Sequence, residues 1–383
     1  MKLLVPILAI ATPLAATAAE NPNPYESIRQ EIRQSIARGN AWLKAQQNAE
    51  GYWSDPQLPA FTALALKAAL RDPNLDRKAP LPDHLEKSLS WLLAQQKEDG
   101  GIYNRGLSVY NTATAVTALL AADRREYDPA IVKARKHLIN NQWDIDKKGE
   151  TDNPNDGGVG YGSDPSHTDL SNTYLAIEAI ALSRKVVEDG NFGDQPELDW
   201  EAAIKFLSRC QNLPDSNDQG WASDDPKNKG GFAYSPFESK AGEEKTEDGR
   251  TALRSYGSMS YAGLLSMIYA KLSPDDPRVN AVKTWLGRNY TLDENPGMGA
   301  QGLYYYYQTM SKALSAANLD MLPLESGKQA DWRNDLAVTL LSKQREDGSW
   351  VNDNGRWMES NPVLVTAYTV LSLAQIHDSI PEK

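Results

Sequence analysis

The sequence predicts an all-α fold, an (α/α)6 barrel (toroid) built from six helix-hairpin repeats. Three observations predict it. Short elements running from Gln to a glycine and an aromatic recur: AQQNAEGYW at 45–53, AQQKEDGGIY at 94–103 and SKQREDGSW at 342–350. Each follows an amphipathic segment with apolar residues at three- and four-residue spacing, the period of a helix with one wet face. Each precedes a segment rich in Ala, Ser, Thr and Gly that carries at most one charge before its end.

The amphipathic segments are 31–47, 84–96, 130–142, 199–211, 278–290 and 331–344. They are expected as outer helices. The near-neutral segments at 60–70, 111–122, 170–183, 255–270, 305–317 and 362–376 are expected as inner helices, because a helix that is apolar all round is buried on all sides. Such hairpins cannot bury their faces alone and must stack. Six pairs with strictly alternating exposure favour a closed double ring with parallel inner helices. An open superhelix would show less contrast within a pair. In each link, the Gln amide is expected to satisfy free carbonyls at the outer-helix end, the Gly to take a left-handed stop, and the aromatic to pack under the turn.

Residues 1–19 differ from the rest. Lys2, an apolar run and an Ala-rich ATAAE end read as a cleaved secretory signal, leaving 20–383 as one domain. Export to the periplasm or beyond is therefore expected, and no later segment reads as transmembrane. With Cys210 as the sole cysteine, no internal disulfide can form, and a buried thiol near a helix end is expected. A net charge of −11 argues against nucleic acid as a partner.

QNAEGYW (47–53) and QREDGSW (344–350) fit the Gln-x3-Gly-x-Trp motif of the squalene cyclase and prenyltransferase repeat superfamily, and DGGIY, DGGVGY and GGFAY resemble its glycine-aromatic turns. The chain is similar to a secreted bacterial branch of that superfamily. The resemblance implies a terpenoid cyclase-like α/α toroid with a central apolar cavity. The superfamily's catalytic signatures are absent: there is no Asp-x-Asp-Asp, no Asp-Asp-x-x-Asp, no Cys-Gly-Glu-Gln, and Ser208 stands where a zinc site would need Asp beside Cys210. No metal or other cofactor is expected, and the Asp-rich stretch 144–169 reads as a solvated acidic loop rather than a calcium site.

The residues at the entrances of the inner helices remain. His167 and Asp169, just before the third inner segment, are the candidates for catalysis, with Asp169 equally suited to capping. Tyr161, Tyr234, Arg250, Arg254, Tyr256, Tyr304, Tyr305, Trp357 and Glu359 are candidates for ligand binding, through stacking or through an anionic group. The longest links belong to repeats three and four, so the expected site is the mouth at the inner-helix N-termini. The expected partner is a small-molecule ligand, apolar or anionic; oligomeric state is left open. Three functions fit: a terpenoid cyclase-like enzyme or binder of an isoprenoid or polycyclic ligand, a carbohydrate-active lyase or hydrolase, or a non-catalytic binding module.

Overall fold

The computed structural model describes residues 25–162, 167–246 and 249–381. The expected signal segment lies outside them. The described residues fold into six helix pairs: α1 (Glu26–Ala45) with α2 (Pro59–Leu70), α3 (Asp83–Leu93) with α4 (Ser108–Ala122), and α5 (Asp128–Ile139) with α6 (Leu170–Leu182). After a short α7 (Arg184–Asp189) come α8 (Trp200–Arg209) with α9 (Gly257–Tyr269), α10 (Pro277–Arg288) with α11 (Leu303–Ala316), and α12 (Trp332–Ser342) with α13 (Pro362–Ser379). Two small hairpins decorate the links, β1 (Glu243–Lys245) with β2 (Thr251–Leu253) and β3 (Leu322–Pro323) with β4 (Gln329–Ala330).

The second helices of the pairs close a ring. α2 packs on α4, α4 on α6, α6 on α9, α9 on α11, α11 on α13, and α13 on α2. All six expected inner segments are these helices, and they are buried along most of their length. The outer helices bury one stripe; α1, for example, buries Ile28, Ile32, Ile36 and Leu43, four residues apart or seven. α1 reaches both α12 and α13, which joins the last repeat to the first.

The links explain the recurring motif. Each Gln side chain bridges two backbone carbonyls. One belongs to its own turn glycine, the other to the next outer helix or its cap: Gln96 reaches Gly100 and Ala130, both at 2.9 Å, Gln211 reaches Gly230 and Arg278, both at 2.9 Å, and Gln344 reaches Gly348 at 2.9 Å and Ser35 at 3.0 Å. The amide is thus a staple between neighbouring repeats, not a cap on its own helix. Repeat five replaces it with Tyr290, whose hydroxyl donates to Asp335 at 3.0 Å.

The glycine role also differs from expectation. Outer helices end on right-handed residues such as Gln46 and Ala94. The motif glycine comes later, in the turn, with φ of +88° at Gly100 and +91° at Gly230. A Cβ there would lie 2.4 Å from the Lys133 carbonyl oxygen and 2.2 Å from that of Ala281. Glycine is required both for the backbone conformation and for contact with the next outer helix.

The residue after the turn is then pinned to the inner ring. Backbone N–H groups of Trp53, Ile102, Val159, Phe232 and Trp350 donate to hydroxyls of Thr62, Thr112, Thr173, Ser260 and Thr366 at 2.9–3.1 Å. Trp53 and Trp350 indoles close the outer-helix ends by donating to Leu43 and Leu340 carbonyls, at 2.6 and 2.8 Å. The small polar residues of the inner segments therefore fix register as well as permitting close packing.

Candidate functional site

At the inner-helix N-termini, the expected site residues are largely used by the fold. Asp169 is the N-cap of α6, accepting from the Asn172 backbone at 2.8 Å and its side chain at 2.7 Å. Burial raises its pKa to about 6, against the pull of those hydrogen bonds. His167, two residues earlier, is exposed, whereas Asp169 is buried. Glu359 is buried and caps α11, accepting from Tyr305 N–H at 2.8 Å and Tyr304 N–H at 3.3 Å, with Asn352 donating at 2.7 Å. Burial raises its pKa.

Arg250 donates to the Gly220 carbonyl at 3.1 Å, and Arg254 to that of Ala241 at 3.4 Å. Trp357 is 41% exposed and covers Gly302. Five of the candidates do come together. The Tyr161 and Tyr234 hydroxyls meet at 3.0 Å, and both phenols are raised by burial and by the Asp169 charge. Tyr256 feels burial first, then Tyr305 and Asp169. Of the consecutive tyrosines, only Tyr305 reaches the barrel axis. Tyr306 and Tyr307 donate to link carbonyls of Thr291 and Leu292, at 2.8 and 2.5 Å.

On the axis, Tyr305 packs against Tyr368 with ring centres 6.1 Å apart, and the Tyr368 hydroxyl meets that of Tyr110 at 3.0 Å. These rings close the N-terminal half of the barrel around a void of only about 20 Å³. A cavity of about 580 Å³ opens instead at the opposite end, among the C-terminal turns of the inner helices. Leu119, Leu120, Ile131, Leu182, Val186 and Leu371 supply apolar wall. α7 overhangs it, contributing Lys185, Val186 and Asp189. None of the eleven residues expected as a site lines this cavity, though Tyr305 lines the void beneath it.

The cavity floor is charged. Lys67, Glu178 and Lys312 stand one turn before the ends of α2, α6 and α11, alternate members of the inner ring. Lys312 Nζ lies 2.5 Å from Glu178 Oε2 and also donates to the Tyr174 hydroxyl. Burial alone would raise Glu178, yet Lys312 and then Lys67 overcome it, so its carboxyl is held below the usual range. The Lys67 ammonium, by contrast, makes no hydrogen bond or ion pair among the described residues. Burial lowers its pKa to about 7; Glu178 opposes the shift, and Lys312 and Arg71 add to it. Arg71, nearer the rim, is committed to Asp378 and to Gln375 at 3.0 Å. Six basic residues line the cavity (Lys67, Arg71, Arg124, Arg125, Lys185, Lys312) against four acidic ones (Asp123, Asp128, Glu178, Asp189), a surplus of two positive charges in a chain of net −11.

The signal for this floor was present in the sequence. Lys67, Glu178 and Lys312 are single charges inside otherwise neutral inner segments. A charged side chain in a buried helix is rare unless paired or functional.

Elsewhere, Cys210 is fully buried at the end of α8, and burial raises its thiol pKa. Among the described residues no group of three or more His, Cys, Asp or Glu could hold a metal ion. In the acidic loop, Asp156 accepts from Ile145 and Asn153 N–H groups, both at 2.7 Å, and so folds the loop on itself. Among the described residues no helix is long and apolar enough to cross a membrane.

No family model matches the chain, and no curated protein matches it. Solved structures do. A variant of the type II terpene cyclase MstE from Scytonema, in complex with its substrate geranylgeranyl dihydroxybenzoate, aligns at 14% identity and TM-score 0.52, covering 92% of this chain and 99% of that one. Another MstE variant, with the product merosterolic acid A, aligns at 13% identity and TM-score 0.52 with the same coverage. The protein geranylgeranyltransferase-I of Candida albicans, complexed with GGPP, aligns at 13% identity and TM-score 0.51, covering 88% of this chain and 90% of that one. The chain therefore has the α/α toroid fold of the terpenoid cyclases and prenyltransferases.

Proposed function

We propose that the protein is an exported binder of one apolar ligand, isoprenoid or polycyclic, held in the cavity at the C-terminal end of the inner ring. The ligand body lies against the leucine-lined wall, and its polar head meets the Lys67–Glu178–Lys312 floor. The observation that carries this reading is the pairing of a cavity of about 580 Å³, apolar along one wall, with an ammonium group facing it that has no partner among the described residues. A pocket of this size suits a small molecule with a few directed polar contacts. Structures of this fold that hold geranylgeranyl compounds support the ligand class.

The floor suits binding better than cyclisation by protonation. Protonating an alkene needs a carboxylic acid that still holds its proton. Glu178 is kept ionised by the two lysines. Glycoside hydrolysis needs a second carboxylate opposite the first, one of the two protonated; the other acids of the lining, Asp123, Asp128 and Asp189, lie after the inner-helix ends or beyond.

The test is direct binding of a dansyl-labelled geranylgeranyl probe by fluorescence, compared with Ala121→Trp and Ala316→Trp, two substitutions on the cavity lining. Saturable binding lost in both variants, with unchanged circular dichroism, is expected. Binding that is absent from the wild type, or undiminished in both filled variants, would overturn the reading.

A further inference from the structure

We propose that Lys67 is a covalent site for an apolar aldehyde, taken up as an imine at the floor of the cavity. The inference rests on the ligand reading above and names the head group of that ligand.

Two lysines share one carboxylate here. Lys312 has taken it: its ammonium is in contact with Glu178 and also donates to Tyr174. Lys67 approaches the same pair from the next-but-one helix of the ring and is left without a hydrogen-bonded partner among the described residues. Its neighbours along the electrostatic field are Glu178, which favours its charge, and Lys312 and Arg71, which oppose it. A lysine set beside other cations in a desolvated pocket is the arrangement that frees an amine for attack on a carbonyl. With a pKa of about 7, roughly half of Lys67 is amine at neutral pH, against about one part in a few thousand for an ordinary surface lysine.

The chemistry balances within the site. The Lys67 amine adds to the carbonyl carbon, the C=O pair moves onto oxygen, and a proton passes from nitrogen to that oxygen. The resulting carbinolamine loses water as the C=N bond forms. Nothing is oxidised or reduced, and no co-reactant is consumed. Tyr269 lines the cavity, and burial and the Glu178 charge hold its hydroxyl in the protonated form, so it can exchange its bond to Glu178 for one to the departing oxygen. Glu178 offsets the charge of a protonated imine. The apolar wall holds the remaining chain, and Leu182, 44% exposed at the mouth, gains cover.

The experiment uses the full chain with farnesal, an isoprenoid aldehyde, trapped by sodium cyanoborohydride at neutral pH and mapped by peptide mass spectrometry. One adduct per chain is expected, on the Lys67 peptide, at an initial rate at least about tenfold above the mean of the other lysines. It should vanish in Lys67→Met and Lys67→Arg. Farnesol, which cannot form an imine, should slow the trapping by competition. Labelling scattered over other lysines with Lys67 not enriched overturns the inference. If farnesol binds saturably while Lys67 stays unlabelled, the imine is wrong and the ligand site stands. If farnesol neither binds nor competes and Lys67 stays unlabelled, both fail.

Discussion

Replacing Lys67 with Met should stabilise the protein at neutral pH, and the gain should disappear in alkali. Met keeps most of the apolar stem and volume, so packing changes little. What is removed is a half-buried ammonium at the cavity floor. The groups that face it are Glu178 on α6, Lys312 and Tyr305 on α11, Tyr110 on α4, Tyr368 on α13, Tyr269 on α9 and Arg71 just past the end of its own helix. Lys67 falls from 10.5 to about 7 on folding. Each tenfold loss of proton affinity costs about 1.4 kcal/mol, so the charged form is disfavoured in the fold by roughly 5 kcal/mol.

Because the folded value lies below the unfolded one, the unfolded chain holds more protons between pH 7 and about 10.5, and this group's contribution makes stability rise with pH across that window. The difference between Lys67→Met and wild type should therefore be roughly 4 kcal/mol at pH 7, about 2 at pH 9 and near zero at pH 10.5. Water entering the open cavity screens part of this, so about 2–4 kcal/mol at pH 7 is the working range. Urea unfolding followed by far-ultraviolet circular dichroism, for both proteins at each pH, measures it. A difference that stays constant from pH 7 to 10, or a variant several kcal/mol less stable than wild type, would refute the placement of Lys67 in a desolvated, cation-flanked position.

Glu178→Gln should destabilise by about 3–5 kcal/mol, since it leaves Lys312 buried without its counter-charge; Lys312→Met in the same chain should restore most of the loss, and additive effects in the urea midpoints would argue against the pair. Gln96→Ala should cost about 1–3 kcal/mol by leaving the Gly100 and Ala130 carbonyls with one partner fewer, while Gln95→Ala, which loses a bond to the Trp91 carbonyl and one from Asn104, both inside its own repeat, should leave the contact between repeats intact and cost less. Asp169 has its folded value raised to about 6 from 3.8, so the native state holds the extra proton and this group's contribution falls as pH rises through 4 to 6; stability of wild type relative to Asp169→Asn should drop across that interval, and an opposite slope would show that its hydrogen bonds outweigh its burial.

The architecture could be read because periodicity and exposure report on the same physical fact. A segment with one wet stripe must lie outside, and a segment with none must lie inside, so the pairs at 31–47 and 60–70, or 331–344 and 362–376, announce their layers. Boundaries shifted by a few residues where caps decide them: α4 starts at Ser108 and α13 runs to Ser379. The role of the motif glycine was harder. A left-handed turn is visible in sequence, but the approach of Lys133 or Ala281 backbone from the next repeat is a long-range contact. The same limit applied to Gln96 and Gln211, whose second carbonyl lies more than thirty residues onward.

The end of the barrel that opens could not be read from link length. Long links show which face carries the insertions; they do not show whether side chains fill the mouth beneath them. Here the insertions bring Tyr161 and Tyr234 together over Asp169, and Tyr110, Tyr305 and Tyr368 occupy the axis below. Large aromatic rings of this kind fill space that a ligand would otherwise take. At the other end the inner helices finish with Ala121, Leu120, Ala316 and Leu182, side chains too short to meet across the axis, so the cavity persists. The two expected catalytic residues, His167 and Asp169, stand just before an inner helix, where capping is the commoner role. The three charges one turn before the inner-helix ends had no such local explanation, since caps lie at termini and an isolated charge within a buried helix costs stability unless a partner or a ligand offsets it. Glu178 and Lys312 offset each other; Lys67 is the charge left over, and that remainder is the reason to look for the ligand at the C-terminal mouth.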